Sequence, residues 1–323
     1  MHAVFHRLGR ALLVLGLFAV GQAAWCQATP QDITLVVGYA AGGSVDLVAR
    51  TIAPELAARL GVPVHVDNIA GVSGMIAAAR VALAPPDGRV LMVGTPSELG
   101  INSALDRRAR FDPVKETTPI VLIGSQPMVL VASPRAAVAS IDEFLRYAGA
   151  HRADARFASS GQGTPLHLAG EMINQRAGLV LGHVPFPGAA AMVEGLEAGR
   201  ADFAVMTLSS ALPYVRSGRV RAIGLTTPVR SAAAPAIPAL AEDARLSGVD
   251  VGVWFGVLGP ARMPAATRQR LHDAVAAVLK LKAVRSALQG AGLTLCEDTD
   301  FAPFLSAEVR KFKALAEFAH AQP

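Results

Sequence analysis

The sequence contains little cysteine, few aromatic residues and no concentrated positive charge. Its cysteines are Cys26 and Cys296, and only 5% of its residues are aromatic. The densest basic group, at residues 107–110, is interpreted as a solvated loop. Because nucleic-acid binding requires a basic face and often stacking side chains, we expect no nucleic-acid partner. With no close group of Cys, His and acidic residues, we expect no structural metal site.

The motifs that organise common catalytic and nucleotide-binding sites are also absent. We find no G-x-S-x-G nucleophile elbow, no G-x-x-x-x-G-K-[ST] phosphate loop, no G-x-G-x-x-G fingerprint and no H-E-x-x-H zinc motif. A secreted hydrolase built on Ser160 and His167, with Asp202 as third member, is the enzymatic alternative, although the spacing does not support it. We therefore predict a binding protein with no catalytic residue, metal or cofactor.

A long apolar run occurs once, at the N-terminus. Basic residues precede the run at 11–20, and small residues surround a cleavage region at 23–28. This pattern predicts a secretory signal peptide over residues 1–28, because the run is too short for a membrane-spanning helix with stop-transfer flanks. Cleavage is expected after Ala28, which leaves the mature chain in the periplasm. An uncleaved membrane anchor is the alternative.

Removal of the signal peptide changes the cysteine count and the charge. Lipid attachment at Cys26 is disfavoured, since Ala23 stands where a lipoprotein signal would place Leu. Loss of Cys26 leaves Cys296 alone, so no intramolecular disulfide is expected despite the oxidising compartment. Loss of Arg7 and Arg10 leaves 28 basic and 25 acidic residues, which is a mild net charge of +3.

A glycine turn between a predicted strand and a predicted helix is the most informative stretch. Apolar residues 33–37 favour a buried strand, and the spacing of later apolar residues predicts a helix over 45–60. Pro54 is expected to kink or split this helix. Ser44 is predicted as its N-cap. The amides of the turn, with the helix dipole, favour an anion site, and a plain turn without a ligand is the alternative.

A second turn repeats this arrangement. A strand is predicted at 156–159, followed by glycines, by Thr164 as N-cap and by Pro165 as the first helical residue. Its hydroxyl groups and amides again favour an anion. His167 lies in the first helical turn, where the dipole disfavours a positive charge, so a neutral imidazole is expected. Packing against a neighbouring loop is the alternative role for His167.

Short strands alternate with helices along the mature chain. Such alternation predicts doubly wound, parallel α/β sheets, whose ligands sit beyond the carboxyl ends of the strands. The length of 323 residues favours two domains. We predict a discontinuous first domain, residues 29–127 plus 252–323, and an inserted second domain, residues 128–251. The turn at 94–97, after the third predicted strand, is then also expected to face the ligand.

Seven short segments carry a family resemblance that covers nearly all of the mature chain. They are GYAAGGSVDLVAR at 38–50, VDNIAGVSG at 66–74, VALAPPDGRVL at 81–91, FDPVK at 111–115, SGQGTPLHLA at 160–169, HVPFPG at 183–188 and WFG at 254–256. In this order they resemble the Bug family, the extracytoplasmic solute receptors of tripartite tricarboxylate transporters. Several motifs in sequence are far more specific than any one of them.

The resemblance implies a type II periplasmic-binding-protein fold, in which two doubly wound α/β domains joined by a hinge close over a ligand. It implies a carboxylate-bearing ligand, delivered to membrane permease subunits or to a sensor kinase by a receptor that we expect to be monomeric. A sensory or scaffold protein that does not serve transport is a further alternative. The expected ligand-binding residues are Tyr39, Ala41, Gly42, Gly43, Ser44, Thr95, Ser97, Ser159, Ser160, Gly161, Thr164, His167, Gly188 and Thr207.

Four positions depart from the family pattern. Thr207 stands where members commonly have an acidic residue that can meet a ligand amino group, which weakens an amino-acid assignment. Ile69 and Ser73 replace an arginine and a glycine of the second motif. Tyr39 replaces the usual phenylalanine and adds a hydroxyl group. The ligand therefore cannot be copied from a relative.

Overall fold

The computed structural model describes residues 32–101, 112–152, 154–296 and 299–320. The predicted signal peptide, with Cys26, and the basic group at 107–110 lie outside these ranges. In the described part, ten strands form one mixed sheet. They are β1 Ile33–Val37, β2 Val64–Asn68, β3 Val90–Gly94, β4 Thr117–Ala132, β5 Arg156–Ser159, β6 Gly182–Pro185, β7 Phe203–Thr207, β8 Arg221–Leu225, β9 Gly252–Pro260 and β10 Thr294–Leu295.

Helices cover the sheet and connect its strands. In the described ranges they are α1 Ser44–Leu60, α2 Met75–Ala82, α3 Pro113–Glu116, α4 Ile141–Ala150, α5 Pro165–Ala177, α6 Ala189–Glu197, α7 Leu208–Arg216, α8 Ala265–Lys280, α9 Lys282–Gly290 and α10 Phe301–His320. None of these helices has the length and apolar character that a membrane crossing requires.

The sheet contains two parallel groups of three strands. In the first group β1 lies between β2 and β3, and in the second β5 lies between β6 and β7. The long strands β4 and β9 pair with each other in antiparallel fashion and connect the groups. The predicted doubly wound α/β fold is therefore confirmed for the two parallel groups. The predicted parallel pairing does not extend to β4 and β9, which run antiparallel to their neighbours.

The apolar stretch at 129–132 predicts a short strand, but β4 is much longer. Its first part, to Pro127, pairs with β9, and its last part, from Met128, pairs with β7 and β8. Prolines at 119 and 127 lie inside the strand and disfavour a strand prediction, since proline cannot donate to a ladder. Register shifts next to Pro119 accommodate this local irregularity.

Both faces of the first parallel group are buried. Leu35 and Val37 face a large core that also holds Ile52 of α1, while Val36 faces a smaller cluster with Ala78 of α2. Such strands have continuous apolar sequences rather than alternating ones. We expected Pro54 to kink or split helix α1, but the helix runs unbroken from Ser44 to Leu60, with the proline on its exposed side. Water can hydrogen-bond the carbonyl group that the proline leaves unpaired.

Candidate functional site

A cavity of about 310 Å³ lies where the carboxyl ends of several strands meet. Its walls come from the segments that follow β1, β3, β5 and β6, together with the end of β7. This position is the one expected for ligands of α/β sheets. The cavity brings together ten of the residues predicted for ligand binding. They are Tyr39, Ala41, Gly42, Gly43, Ser44, Thr95, Ser97, Ser160, Gly188 and Thr207.

The lining of this cavity carries no charged side chain among the described residues. Eight lining residues offer a hydroxyl group: Tyr39, Ser44, Thr95, Ser97, Ser160, Thr207, Ser210 and Tyr214. The remaining wall is mainly small or apolar and includes Val45, Leu166, Met192 and Val253. Any ion held here is therefore recognised by neutral hydrogen-bonding groups and dipoles. The described residues also contain no cluster of His, Cys, Asp and Glu fit to hold a metal.

Four helices begin at the cavity wall. Their first residues are Ser44 of α1, Pro165 of α5, Ala189 of α6 and Leu208 of α7, which follows the lining residue Thr207. A helix start carries partial positive charge and unpaired amides, so it attracts anions. Each of these four helix starts contributes partial positive charge to a cavity whose described lining has no lysine or arginine.

The glycine turn after β1 presents amide groups to this cavity. Helix α1 is capped by Gly43 with extended backbone and no side-chain cap, so the prediction of Ser44 as N-cap was wrong. Ser44 is instead the first helical residue. The amides of Ala41, Gly43 and Ser44 have no hydrogen-bond partner among the described residues. The amide of Gly42 is different, because it donates to Asp46 Oδ2 at 2.9 Å and is not available to a ligand.

Asp46 holds the turn from behind. The residue is 4% exposed, and its side chain accepts hydrogen bonds from the Gly42 amide, from Arg50 Nε at 2.9 Å and from Asn68 Nδ2 at 3.0 Å. Asn68 also donates to the carbonyl oxygen of Tyr39 at 3.0 Å. Burial acts to raise the pKa of Asp46, but the bonds from Arg50, Gly42 and Asn68 together lower it. Asp46 is therefore ionised at neutral pH and fixes the backbone of the turn.

A buried acid lies behind the side of the cavity that Tyr39 and Thr95 form. Glu98 is 0% exposed and accepts hydrogen bonds from Tyr39 Oη at 3.0 Å, Thr95 Oγ1 at 2.8 Å and the Thr95 amide at 2.6 Å. Burial raises the pKa of Glu98 to about 7, against the lowering effect of these bonds. Burial and the nearby charge of Glu98 also raise the pKa of Tyr39. We did not predict Glu98 from the sequence, where it is a single acid in an apolar segment.

The second glycine turn, residues 159–164, is largely closed on itself. Ser159 Oγ donates to the Gly161 carbonyl at 3.1 Å, and Thr164 Oγ1 donates to the same oxygen at 2.8 Å. Thr164 caps α5 by accepting from the His167 amide, as predicted. Of this turn only Ser160 lines the cavity, whereas Ser159, Gly161, Thr164 and His167 do not.

His167 packs within this part of the protein. Its ring lies 4.3 Å from the ring of His183 and 6.3 Å from that of Phe157. The Gly163 amide donates to His167 Nδ1 at 3.4 Å. Burial lowers the pKa of His183 to about 4, so this neighbour is neutral at pH 7. These contacts favour the packing role that was the alternative for His167.

The hydrolase arrangement does not form. Ser160 follows the carboxyl end of β5, while Asp202 precedes the amino end of the parallel neighbour β7. The two residues therefore lie at opposite edges of the sheet. The carboxylate oxygens of Asp202 accept from Tyr147 Oη at 3.0 Å and from the Arg156 amide at 2.9 Å. Asp202 has a structural role and cannot complete a triad with Ser160.

One family of transporter receptors matches most of this chain. The sequence profile described as a tripartite tricarboxylate transporter family receptor matches residues 48–319. Among curated relatives, BugT of Bordetella pertussis is 29% identical over 291 residues, which are 88% of this chain and 89% of BugT.

Two solved structures from Rhodopseudomonas palustris have the same fold. The protein Rpa4515, solved with adipate, has a TM-score of 0.86 and 29% identity, and the match covers 92% of this chain and 99% of that one. MatC, solved with bound malate, has a TM-score of 0.82 and 30% identity, over 89% of this chain and 99% of MatC. The predicted periplasmic-binding-protein fold is therefore confirmed.

Proposed function

The chain belongs to the receptor family of tripartite tricarboxylate transporters, and from this premise we propose that it captures a small organic carboxylate in the cavity between β1 and β7. It then delivers this ligand to the membrane subunits of such a transporter. The receptor acts in the periplasm after cleavage of residues 1–28, as a monomer and without catalysis.

One observation carries the choice of a carboxylate. Four helix starts and the amides of Ala41, Gly43 and Ser44 surround a cavity without charged side chains. Hydrogen bonds to an ionised acceptor are shorter and stronger than neutral ones, and low dielectric strengthens them further. A ligand whose only charge is positive is disfavoured by the four helix starts. The malate and adipate of the two related structures are also carboxylates.

The ten lining residues named above supply the ligand contacts in this proposal. Ser159, Gly161, Thr164 and His167, which were also predicted, instead build the loop that positions Ser160. We retain the division into a first domain, residues 29–127 plus 252–323, and a second domain, residues 128–251. In this arrangement the two domains close over the ligand about β4 and β9.

Native mass spectrometry of freshly purified protein is the first test. We expect a retained small acid, whose mass identifies the ligand. The same acid should then raise the melting temperature, since a ligand at about 100 times its Kd stabilises by roughly 2.7 kcal/mol. A panel of organic acids that causes no shift, together with a mass spectrum of empty protein, would contradict the proposal and favour a scaffold role.

A second measurement separates capture from catalysis. Each acid that binds is incubated with the protein, and the mixture is followed by mass spectrometry. We expect the acid to remain unchanged, and any turnover would contradict a receptor role.

Crosslinking in membranes that contain the transporter subunits identifies the recipient. Contact with those subunits is the expected result, whereas contact with a sensor kinase alone would contradict a role in transport.

A further inference from the structure

Glu98 lies one layer behind the cavity and does not itself line it. Its carboxylate is the acceptor for the hydroxyl groups of Tyr39 and Thr95, both of which do line the cavity. The Thr95 amide occupies the other carboxylate oxygen, which fixes the orientation of the group. Glu98 can therefore act on a ligand only through these two hydroxyl groups.

A hydroxyl group has one hydrogen and two lone pairs. When the hydrogens of Tyr39 and Thr95 are directed at Glu98, only lone pairs remain for the cavity, and one lone pair of Thr95 is taken by the Ser97 amide at 3.3 Å. The other acceptor near Tyr39 Oη, the Ser73 carbonyl, lies farther away than Glu98, at 3.4 Å against 3.0 Å. This side of the cavity then accepts hydrogen bonds, whereas the amides of Gly43 and Ser44 donate them. The two sides have opposite requirements, and a simple dicarboxylate satisfies only the donating one.

We propose that Glu98 is a positioning residue that determines specificity: through Tyr39 and Thr95 it selects a ligand with a hydroxyl or ammonium group in addition to its carboxylate. This inference rests on the function proposed above. It narrows the substrate class to hydroxy acids and amino acids of a size that fits the cavity.

The backbone around Glu98 is built to admit it. Gly74 has a φ of +90°, and a Cβ at this position would lie 2.9 Å from Glu98 Oε2. Burying a carboxyl group is costly even with hydrogen bonds, and a well-packed apolar residue often stabilises a protein at least as well. The contribution of Glu98 to stability therefore does not account for its presence behind the two lining hydroxyl groups.

The ionisation of Glu98 supplies a pH dependence. With a pKa of about 7, raised by burial, Glu98 is mostly ionised at pH 8 and mostly protonated at pH 6. A protonated Glu98 donates its own hydrogen to Tyr39 or Thr95, which frees a hydroxyl hydrogen for the cavity. Preference for a ligand donor must then decrease as the pH falls.

The turn that carries Glu98 packs against the 3-10 turn Val72–Gly74 and against α2, α3 and α10. Tyr39 faces the carboxylate directly, and the 3-10 turn has no charged residue. The charged residues of the three helices, among those whose side chains are described, are Arg80, Lys115, Glu116, Glu308, Arg310 and Lys311. None of these side chains makes a hydrogen bond or ion pair with Glu98.

The experiment compares acids that differ by one donor group. Butyrate is paired with 3-hydroxybutyrate and with 4-aminobutyrate, and benzoate is paired with 4-hydroxybenzoate. Affinities are measured by calorimetry at pH 8 and pH 6. At pH 8 the wild-type protein should bind the donor-bearing member of at least one pair about 10-fold or more tightly, because sites built for a ligand hydroxyl reject analogues that lack it. At pH 6 this ratio should decrease.

Glu98→Gln tests the role of the carboxylate. The amide group replaces Oε2 with a donor, so the hydrogens of Tyr39 and Thr95 turn to the cavity. The preference should be lost or reversed, and it should no longer change with pH. Thr95→Val removes one acceptor and should reduce the preference, while Thr95→Ser keeps the hydroxyl group and should retain it. If Glu98→Gln does not fold, the comparison of Thr95→Val with Thr95→Ser tests whether the hydroxyl group of Thr95 sets the preference.

The outcomes separate this inference from the proposed function. If acids bind the wild-type protein with no preference for the donor-bearing member of a pair, the specificity role of Glu98 is overturned while the proposed function stands. The same conclusion follows if the preference exists but is unchanged in Glu98→Gln. A preference that is the same at pH 8 and pH 6 would also overturn it. If no acid binds the wild-type protein at all, the proposed function fails and this inference with it.

Discussion

The two strand-to-helix turns around the cavity have similar sequences and opposite hydrogen-bond arrangements. In the turn after β1, the amides of Gly43 and Ser44 remain unpaired within the described structure, and Asp46 supports the backbone from behind. In the turn after β5, the hydroxyl groups of Ser159 and Thr164 both donate to the Gly161 carbonyl. The first turn leaves its Gly43 and Ser44 amides open to a ligand, whereas in the second turn the amides of both glycines are taken by side chains, Gly161 by Ser159 Oγ and Gly163 by His167 Nδ1.

The comparison shows that glycines and hydroxyl residues do not by themselves make an anion site. Each backbone amide must be paired with some acceptor, and a site exists only where that acceptor is left to the ligand. In the first turn a buried carboxylate takes one amide and leaves its neighbours unpaired. In the second turn the Gly161 amide donates to Ser159 Oγ and the Gly163 amide donates to His167 Nδ1.

Gly43→Val should have the largest effect on ligand binding. A Cβ at Gly43 meets no atom closer than Ala40 O at 3.5 Å, and the φ of −81° suits any residue, so the fold should persist. The two methyl groups would occupy the space beside the unpaired amides. We expect affinity to fall by about 100-fold or more, equivalent to roughly 2.7 kcal/mol. Calorimetry with the acid identified by mass spectrometry measures the loss.

Gly182→Val is the matched control for this change. Gly182 lies in β6, has an equally open environment with its nearest atom at 3.5 Å, and does not line the cavity. Affinity should remain within about twofold of wild type, because one surface position of an edge strand tolerates valine. Equal affinity of Gly43→Val and wild type would rule out ligand capture by the first turn.

Asp46→Ala should weaken both the first turn and ligand binding. The change leaves the Gly42 amide and Asn68 without their acceptor, which costs about 1–3 kcal/mol of stability. We expect affinity to fall about 10-fold, because Gly42 would then be free to turn and the neighbouring amides would lose their alignment. Urea unfolding and calorimetry measure the two effects. Asp273→Ala, on the exposed side of α8, is the control and should change neither.

Ser160→Ala and Ser159→Ala should separate the two functions of the second turn. Ser160 lines the cavity, so its loss should reduce affinity about 2- to 10-fold through one hydrogen bond. Ser159 is buried and bonds to Gly161 and to His183, so its loss should instead reduce stability by about 1–3 kcal/mol. The reverse result would show that the second turn binds ligand through its interior.

The last expected effect is a pH dependence of stability that comes from His183 of β6, which contacts Ser159 of the second turn. Burial lowers the pKa of His183 from 6.5 to about 4. At a pH between these two values the histidine is protonated in the unfolded chain and neutral in the folded one. Stability from this group is present above pH 6.5 and is lost as the pH falls towards 4. Urea unfolding at pH 7 and pH 5 measures the change. His183→Gln should reduce the slope, and an unchanged slope would contradict the assignment.

Local sequence patterns predicted the elements and several caps well. The strands at 33–37 and 156–159 have the predicted bounds. Ser140, with Glu143 three residues later, has the sequence pattern of an N-cap, and it caps α4 by accepting from the Glu143 amide, while Thr164 caps α5 as predicted. Such features depend on residues within one helical turn, so a short stretch of sequence contains all the information. The length of β4 could not be predicted, because pairing with β9, more than 100 residues away in sequence, overrides its prolines.

The candidate site was predicted only in part, because some of its residues depend on partners that are distant in the sequence. The first turn, the turn at 94–97, Gly188 and Thr207 were identified and come together in the cavity. Glu98 was missed because its role depends on Tyr39, 59 residues earlier in the chain. Ser44 was misassigned as a cap because the N-cap position is Gly43, where no side chain caps the helix and Asp46 instead fixes the preceding Gly42 amide.

The sequence alone therefore determined the family, the α/β class and the segments from which the cavity is built. Each of these depends on local periodicity or on an ordered set of short motifs. Only the tertiary structure decided which amides remain open, which hydroxyl groups are already paired, and where a charge is buried. The physical reason is that a hydrogen bond has two partners, and for the groups that define this cavity the second partner often lies tens of residues away.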